Sequence, residues 1–372
     1  MTKTPVDQVT LRRRGAGLIA YDPDRSAGGY TLIAPQTDGG RVELIAMDGR
    51  VVHTWNMPQR PGRHAVLLKN GNLGYNGNHP DSPNLYAAWS MWHGGAFSEV
   101  TPAGDIVWDY TDVTHHHDAQ WLPNNNLLYA SLEPLLPEMA ARITGGSARH
   151  DPPDGVLYGD VVKEVNRKGE IVWAWKASDH LAPEDYPIHP FFDRTHWPLV
   201  NGLWSTRNGL VLMSLRTTSG VIAVDRATGA VAWKIGHDIV AQQHTPVELE
   251  SGNVLIFDNG NFRPGSSTPF SRIVEVDPKT LQVVWQYSDP NKPAFFSAFM
   301  GGAQRLPNGN THITESALGR LFEVTPAGEV VWEYVIPHFA EYPEEAARKY
   351  VGGEQNTVFR TYRYQKSQIP WL

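Results

Sequence analysis

The sequence predicts an all-β protein, a six-bladed β-propeller of four-stranded antiparallel blades, on three observations. A motif of the form V-(D/T/N)-x-x-G-x-(V/I)-V-W-x-(Y/W) recurs along the chain. A second strand–turn–strand pattern built on an N-G-N type turn is interleaved with it. Glycine, proline and tryptophan are abundant, at 34, 28 and 13 of 372 residues, as short strands joined by tight turns require.

The first motif reads MDGRVVHTW (residues 47–55), VTPAGDIVWDY (100–110), VNRKGEIVWAW (165–175), VDRATGAVAWKI (224–235), VDPKTLQVVWQY (276–287) and VTPAGEVVWEY (324–334). Its turn anchors, Gly49, Gly104, Gly169, Gly229, Thr280 and Gly328, recur every roughly 48 to 65 residues, the spacing of a propeller blade. Each copy alternates β-branched and aromatic residues on both sides of the turn, which makes it a pair of strands, C and D. The interleaved pattern supplies strands A and B: LLKNGNLGY from Leu67, WLPNNNLLY from Trp121, STRNGLVLM from Ser205, LESGNVLIF from Leu249 and RLPNGNTHI from Arg305. Radial repetition of such sheets protects their edges. The first unit starts at its strand B (29–35) and lacks an A strand. Residues 356–364 (NTVFRTYRY) are a candidate to close the ring, and QVTLRRR near the N-terminus is another. The chain is thus expected to be one domain, 1–372. Its blades end near 57, 111, 176, 236, 288 and 335, and a capping helix and closing strand fill 336–372.

Composition narrows function. Hydrophobic residues make up 41% and charged residues 19%, enough for a large core. The net charge of −7 is spread along the chain, so no nucleic-acid partner is expected. No apolar stretch is long enough for a membrane span, so no membrane partner is expected either. The apolar run 15–21 after three arginines is too short for a secretory signal. With no cysteine in the chain, the expected location is cytoplasmic.

With strand A lining the central channel, the A–B and C–D turns fall on one face of the disc and are short. The long segments, 79–96, 133–159, 176–198, 260–270, 288–299 and 335–355, all fall on the other, which is where function is expected. Near the axis on that face, the register places Arg63, His117, Asn201, His244 and Gly301 at the starts of A strands. It places Asn78, Leu132, Arg216, Asn259 and Ser316 at the ends of B strands. His79 follows Asn78. Among nearby carboxylates are Glu133, Asp258 and Glu315. A ring rich in imidazole, guanidinium and amide donors suits an oxyanion such as sulfate, phosphate or carboxylate. Tyr86, Trp89, Trp92 and Phe191 in the loops favour a flat aromatic substrate. Trp108, Trp173, Trp233, Trp285 and Trp332 share one repeat position and are expected to pack between blades. EYPEEAARKY is expected to form a short helix with Pro343 in its first turn.

Several of these motifs resemble the bacterial arylsulfate sulfotransferase family, from GYTLIAP through WEYVIP. They are His116-His117-Asp118 before LPNNN, Asn201 followed by S-L-R ending in Arg216, and Gln243-His244-Thr245 before the ESGN turn. The resemblance implies a six-bladed propeller that moves a sulfuryl group from an aryl sulfate to a phenol without a nucleotide donor or other cofactor. It implies His244 as the nucleophile that becomes sulfonated, His117 as the acid/base, and Asn201 and Arg216 as ligands of the sulfuryl oxygens. Arg63, Asn78, His79, Asn259 and His196 are expected to bind substrate. Where the family shows a second histidine two positions before the Asn, this chain has Leu199, and the nearest histidine is His196. The family's members also carry a disulfide, absent here.

Three other readings use the same residues. A propeller lyase, hydrolase or dehydratase would take an anionic or phenolic small molecule with His117 or His244 as base. A metal variant of it would use the cluster His115, His116, His117, Asp118. Strand alternation, however, puts His115 and His117 on one side and His116 on the other, so no metal is expected. A pyrroloquinoline quinone enzyme also carries Trp-bearing blades, but this chain is short for one. A non-catalytic binding propeller would have no need of the polar channel mouth.

Overall fold

The computed structural model describes residues 6–86, 88–147 and 154–372. Part of the expected loop 133–159, residues 148–153, lies outside the described residues. Six antiparallel sheets follow one another along the chain. Blade two contains Pro61–Leu67, Leu73–Asn78, Gly95–Val100 and Ile106–Thr111 as strands A to D. Blade three contains His115–Trp121, Leu127–Pro134, Tyr158–Val165 and Ile171–Lys176, blade four Val200–Ser205, Leu210–Leu215, Gly220–Asp225 and Val231–Ile235. Blade five contains His244–Glu248, Val254–Asp258, Arg272–Asp277 and Gln282–Tyr287, blade six Gly302–Arg305, Thr311–Glu315, Arg320–Val324 and Val330–Val335.

Blade one closes the ring with Tyr362–Tyr364 beside Tyr30–Ile33, Arg41–Ala46 and Val51–Asn56, pairing Tyr30 with Tyr364 and Leu32 with Tyr362. The other candidate for closure is not used in that way. Thr10–Arg14 is a helix, and the apolar run after it forms a strand, Gly17–Tyr21, on the outer edge of blade six. It pairs with strand D, Leu18 opposite Tyr334 and Tyr21 opposite Trp332, and its residues are largely exposed, as on a sheet edge.

The core lies between blades. Strand B is buried along its length, as in Leu73–Asn78, because neighbouring blades cover both of its faces, whereas strand D is largely exposed, as in Ile106–Thr111. Leu128 and Val162 of blade three pack on Val211 and Ile222 of blade four, and equivalent clusters fill the other interfaces. The repeated tryptophans also bond across these interfaces. Nε1 of Trp108 donates to Arg167 O, Trp173 to Arg226 O and Trp285 to Pro326 O, all at 3.0 Å, and Trp332 to Met47 O at 2.8 Å across the ring closure. A second repeated device had no obvious sequence signature. The last Asn of the A–B turn donates to a Glu of strand C, as Asn72 does to Glu99 and Asn253 to Glu275. Each Glu then pairs with an Arg of the next blade, Glu99 with Arg167 and Glu275 with Arg305.

Two turns differ from the repeat in an instructive way. Asn125 holds φ 65° where the other A–B turns use glycine, since asparagine tolerates the left-handed region. In blade five the left-handed residue is Leu281, φ 57°, and not Thr280, which corrects the turn anchor by one position. The expected helix near the C-terminus is Glu345–Arg348, with Pro343 before its N-cap Glu344 and so outside its first turn.

Candidate functional site

At the channel end away from the short turns, four A strands begin with an irregularity in their pairing to strand B. The breaks fall between Pro61 and Ala65, between Tyr129 and Ser131 opposite the His115 segment, between Val200 and Gly202, and between His244 and Val247. Bulges re-aim side chains and recur beside active sites. Left-handed non-glycine residues gather at the same level: His117 (φ 52°), Leu199 (φ 65°), Gln242 (φ 59°), Thr245 (φ 51°) and Met300 (φ 57°). Such backbone costs about 1–3 kcal/mol per residue and persists where surrounding structure enforces it. The strain breaks strand alternation at the His-His-His run, so the three rings point three ways, which corrects the expected two-sided arrangement. His115 packs on Phe97 with ring centres 4.7 Å apart, His116 reaches Asp160, and His117 stacks on Trp92 at 5.3 Å.

His244 is buried and held at both nitrogens. Nδ1 lies 2.8 Å from Asn259 Oδ1, and the Met300 amide donates to Nε2 at 3.2 Å. Asn259 accepts at Oδ1, so Nδ1 carries the hydrogen and Nε2 the lone pair. Burial and the nearby Arg216 charge hold the His244 pKa down to about 3 against the Asn259 hydrogen bond, so the ring is neutral near pH 7. His117 is also pushed well below the ordinary imidazole range, first by burial and then by the charges of His116 and Arg63. Its Nδ1 faces His116 Nδ1 at 2.9 Å.

Arg216 is half-buried, its guanidinium over the Phe192 ring at 4.9 Å. Among the described residues its guanidinium makes no hydrogen bond, and burial lowers its pKa to about 10, still fully charged. Arg63, by contrast, is committed. It donates to Trp92 O at 3.1 Å, to Gln36 Oε1 at 3.3 Å and to Met91 O. Asn201 donates from Nδ2 to Gln243 O at 2.8 Å, bracing the residue before His244. Asn259 donates from Nδ2 to Ser297 O (2.8 Å) and Met300 O (2.7 Å). Asn78 faces His93 at 3.1 Å, and His79 accepts the Asp81 amide within its own turn. His196 lies between Asp160 Oδ1 and the Tyr86 hydroxyl, each at 3.1 Å. The expected carboxylates are neutralised by partners: Glu133 by Lys176, Asp258 by Arg272 and Glu315 by Arg320.

His117, His244, Arg63 and Arg216 therefore form one cluster, in which Arg63 bears on both histidines and Arg216 on His244. Its walls are aromatic: Trp92 lies 6.1 Å from Phe299, and Phe359 6.3 Å from His244. The Trp89–Trp92 helix covers it, packed through Met91 and Trp92 against Tyr342 and Ala347 of the C-terminal segment. A buried ion pair that sequence reasoning missed floors it. Arg360 of the closing segment binds both oxygens of Asp118 and lies 3.1 Å from His64 Nε2. Below this floor a cavity of about 950 Å³ opens at the mouth formed by the short A–B turns. None of the expected site residues lines it. The strained backbone and the unpaired guanidinium are at the other mouth, and we place the candidate site there.

Comparison with known proteins bears on the fold and the family. No curated protein matches the chain. Among solved structures, a protein of unknown function from Bacteroides caccae is 14% identical, with a TM-score of 0.55 covering 90% of this chain and 98% of that one. That likeness shows the fold alone. A virginiamycin B lyase from Staphylococcus aureus is 10% identical, covering 86% of this chain and 88% of its own, at a TM-score of 0.45 that is too distant to bear on function. The Arylsulfotransferase (ASST) family model matches residues 105–240 and 236–360, from the outer strand of blade two to the closing segment. The chain belongs to the Arylsulfotransferase (ASST) family.

Proposed function

We propose that the protein is an aryl sulfotransferase that carries a sulfuryl group from an aryl sulfate to a phenol through a sulfonated His244. The observation that carries this reading is the pair of contacts on His244, which leave a neutral ring with its lone pair on Nε2. Nε2 attacks sulfur, the sulfur–oxygen bond to the aryl group breaks, and phenolate leaves with its electron pair. An acceptor phenol then attacks the sulfonated histidine, the N–S bond breaks, and the imidazole is restored. Two displacements replace one difficult one. Arg216, charged and without a hydrogen-bond partner among the described residues, holds the sulfuryl oxygens as they gain charge. His117 takes the acceptor's proton and returns it to the leaving phenolate of the next turnover, a role typically worth about 10²–10⁴ in rate. Trp92, Phe299 and Phe359 offer faces for the aryl ring. Asn201 acts here through the Gln243 carbonyl, while Met300 must release Nε2 and the Trp89–Trp92 helix must lift to admit substrate.

A burst experiment tests the reading. Mixed with an aryl sulfate and no acceptor, the enzyme releases one phenolate per chain and stops, and added phenol restarts turnover. A second reading, a lyase or hydrolase with His117 as base, draws on the line Asp160–His116–His117. It predicts continuous acceptor-independent turnover and no burst.

A further inference from the structure

Behind His117, a second buried cluster has chemistry of its own. His116 lies in strand A of blade three, Asp160 in strand C, and His196 in a short strand, His196–Trp197, laid parallel on strand C. All three side chains are buried, and one ligand atom from each lies within 4.8 Å of the other two. The Nε2 atoms of His116 and His196 both stand 3.1 Å from the same oxygen, Asp160 Oδ1. That oxygen already accepts the Val200 amide at 3.0 Å, while Oδ2 accepts the Leu199 amide at 2.8 Å. A carboxylate oxygen has two lone pairs, so three N–H groups oversubscribe it. The strain shows at His116: its Nε2 is buried, and the contact with Asp160 is not aligned as a hydrogen bond.

We propose that His116 Nε2, Asp160 Oδ1 and His196 Nε2 bind a divalent transition-metal ion, with Zn²⁺ the simplest occupant. One cation bound by the deprotonated Nε2 atoms of both rings removes two of the three competing donors from Asp160 Oδ1. Bonds of about 2.0–2.2 Å put ligand atoms roughly 3–4 Å apart, the spacing of both nitrogen–oxygen pairs here. Two imidazoles and one carboxylate suit zinc, iron or manganese better than calcium or magnesium. The remaining ring nitrogens are also engaged, as metal-bound histidines require: His196 Nδ1 lies 3.1 Å from the Tyr86 hydroxyl and His116 Nδ1 2.9 Å from His117 Nδ1. Three protein ligands leave a coordination position open.

The site stands independently of the sulfuryl-transfer reading, and one consequence connects the two. With the ion on Nε2, His116 carries its hydrogen on Nδ1 and donates it to His117 Nδ1. Neutral His117 then carries its own hydrogen on Nε2, so with the ion bound it offers a donor to the leaving phenolate, and the role of taking the acceptor's proton belongs to the metal-free tautomer.

Equilibrium dialysis of the untagged, chelator-stripped full chain against Zn²⁺, read by elemental analysis, tests the proposal. The expected result is one Zn²⁺ per chain and a higher Tm with metal present. His196→Gln and Asp160→Asn should each weaken binding at least tenfold, and the exposed His237→Gln should not change it. If Asp160→Asn fails to fold, His196→Gln decides, with circular dichroism reporting its fold. Wild-type chain that takes up no stoichiometric Zn²⁺, or folded His196→Gln that binds as wild type does, overturns the proposal.

Discussion

Replacement of Asn259 by alanine probes the site without touching the nucleophile. Asn259 makes three buried hydrogen bonds: one from His244 Nδ1 at 2.8 Å, one to Ser297 O at 2.8 Å and one to Met300 O at 2.7 Å. At about 1 kcal/mol net for each, Asn259→Ala should destabilise the fold by about 3 kcal/mol. For a chain of 372 residues the unfolding entropy is roughly 0.8 kcal/mol/K, so Tm should fall by about 4 °C. Turnover should suffer separately. The bond that fixes hydrogen on Nδ1 is worth about 1–1.5 kcal/mol, roughly tenfold in kcat/KM, and the freed Met300 segment raises the loss to about ten- to a hundredfold. The assay is release of phenolate from an aryl sulfate with a phenol acceptor, beside thermal unfolding. Asn253→Ala, which removes the 2.6 Å bond to Glu275 at a turn on the opposite face, is the control and should lower Tm without altering turnover. Folded Asn259→Ala with kcat/KM within about twofold of wild type would show that the Nδ1 contact does not set the reactivity of His244.

Arg216→Ala should leave Tm within about 1 °C, because its guanidinium makes no hydrogen bond among the described residues, while kcat/KM falls at least about tenfold in the same phenolate assay. Asp118→Ala strands the buried Arg360 guanidinium, and thermal unfolding should show a loss of about 3–5 kcal/mol. Trp108→Phe removes the bond to Arg167 O and should lower Tm by about 1–2 °C. Acid should destabilise the fold early. His93 and His244 have folded pKa values near 3, both first through burial, so below the unfolded value of 6.5 the unfolded chain binds the extra protons. Their stability contribution is complete above pH 6.5 and is lost on descent to about pH 3, at about 1.4 kcal/mol per pH unit for each histidine. Denaturant midpoints between pH 7 and 4 measure the slope, and a flat profile contradicts it.

The blades were legible because each repeat carries its own turn and its own tryptophan, so a local pattern reports a local pair of strands. Counting back from the turns placed His117, Asn201 and His244 at the channel end, since the rise along strand A is the same in every blade. What the pattern missed depends on contacts between distant segments. Asp118 meets Arg360, which lies 242 residues away, and nothing in the HHD run signals that partner. The left-handed φ of His117 breaks the alternation on which the side-chain directions were inferred. Asn201 occupies the expected strand, but its amide hydrogen goes to Gln243 O, a detail set by the bulge at His244. Where the family pattern has histidine, Leu199 presents its backbone amide to Asp160, and His196 reaches the same carboxylate from the neighbouring strand.

Peptide mapping after brief exposure to an aryl sulfate without acceptor reads the proposed covalent bond to His244 itself. One SO₃ adduct is expected on the peptide containing His244, absent from His244→Gln and discharged by added phenol. Phenolate released while that peptide keeps its unmodified mass, or an adduct on a different residue, contradicts it.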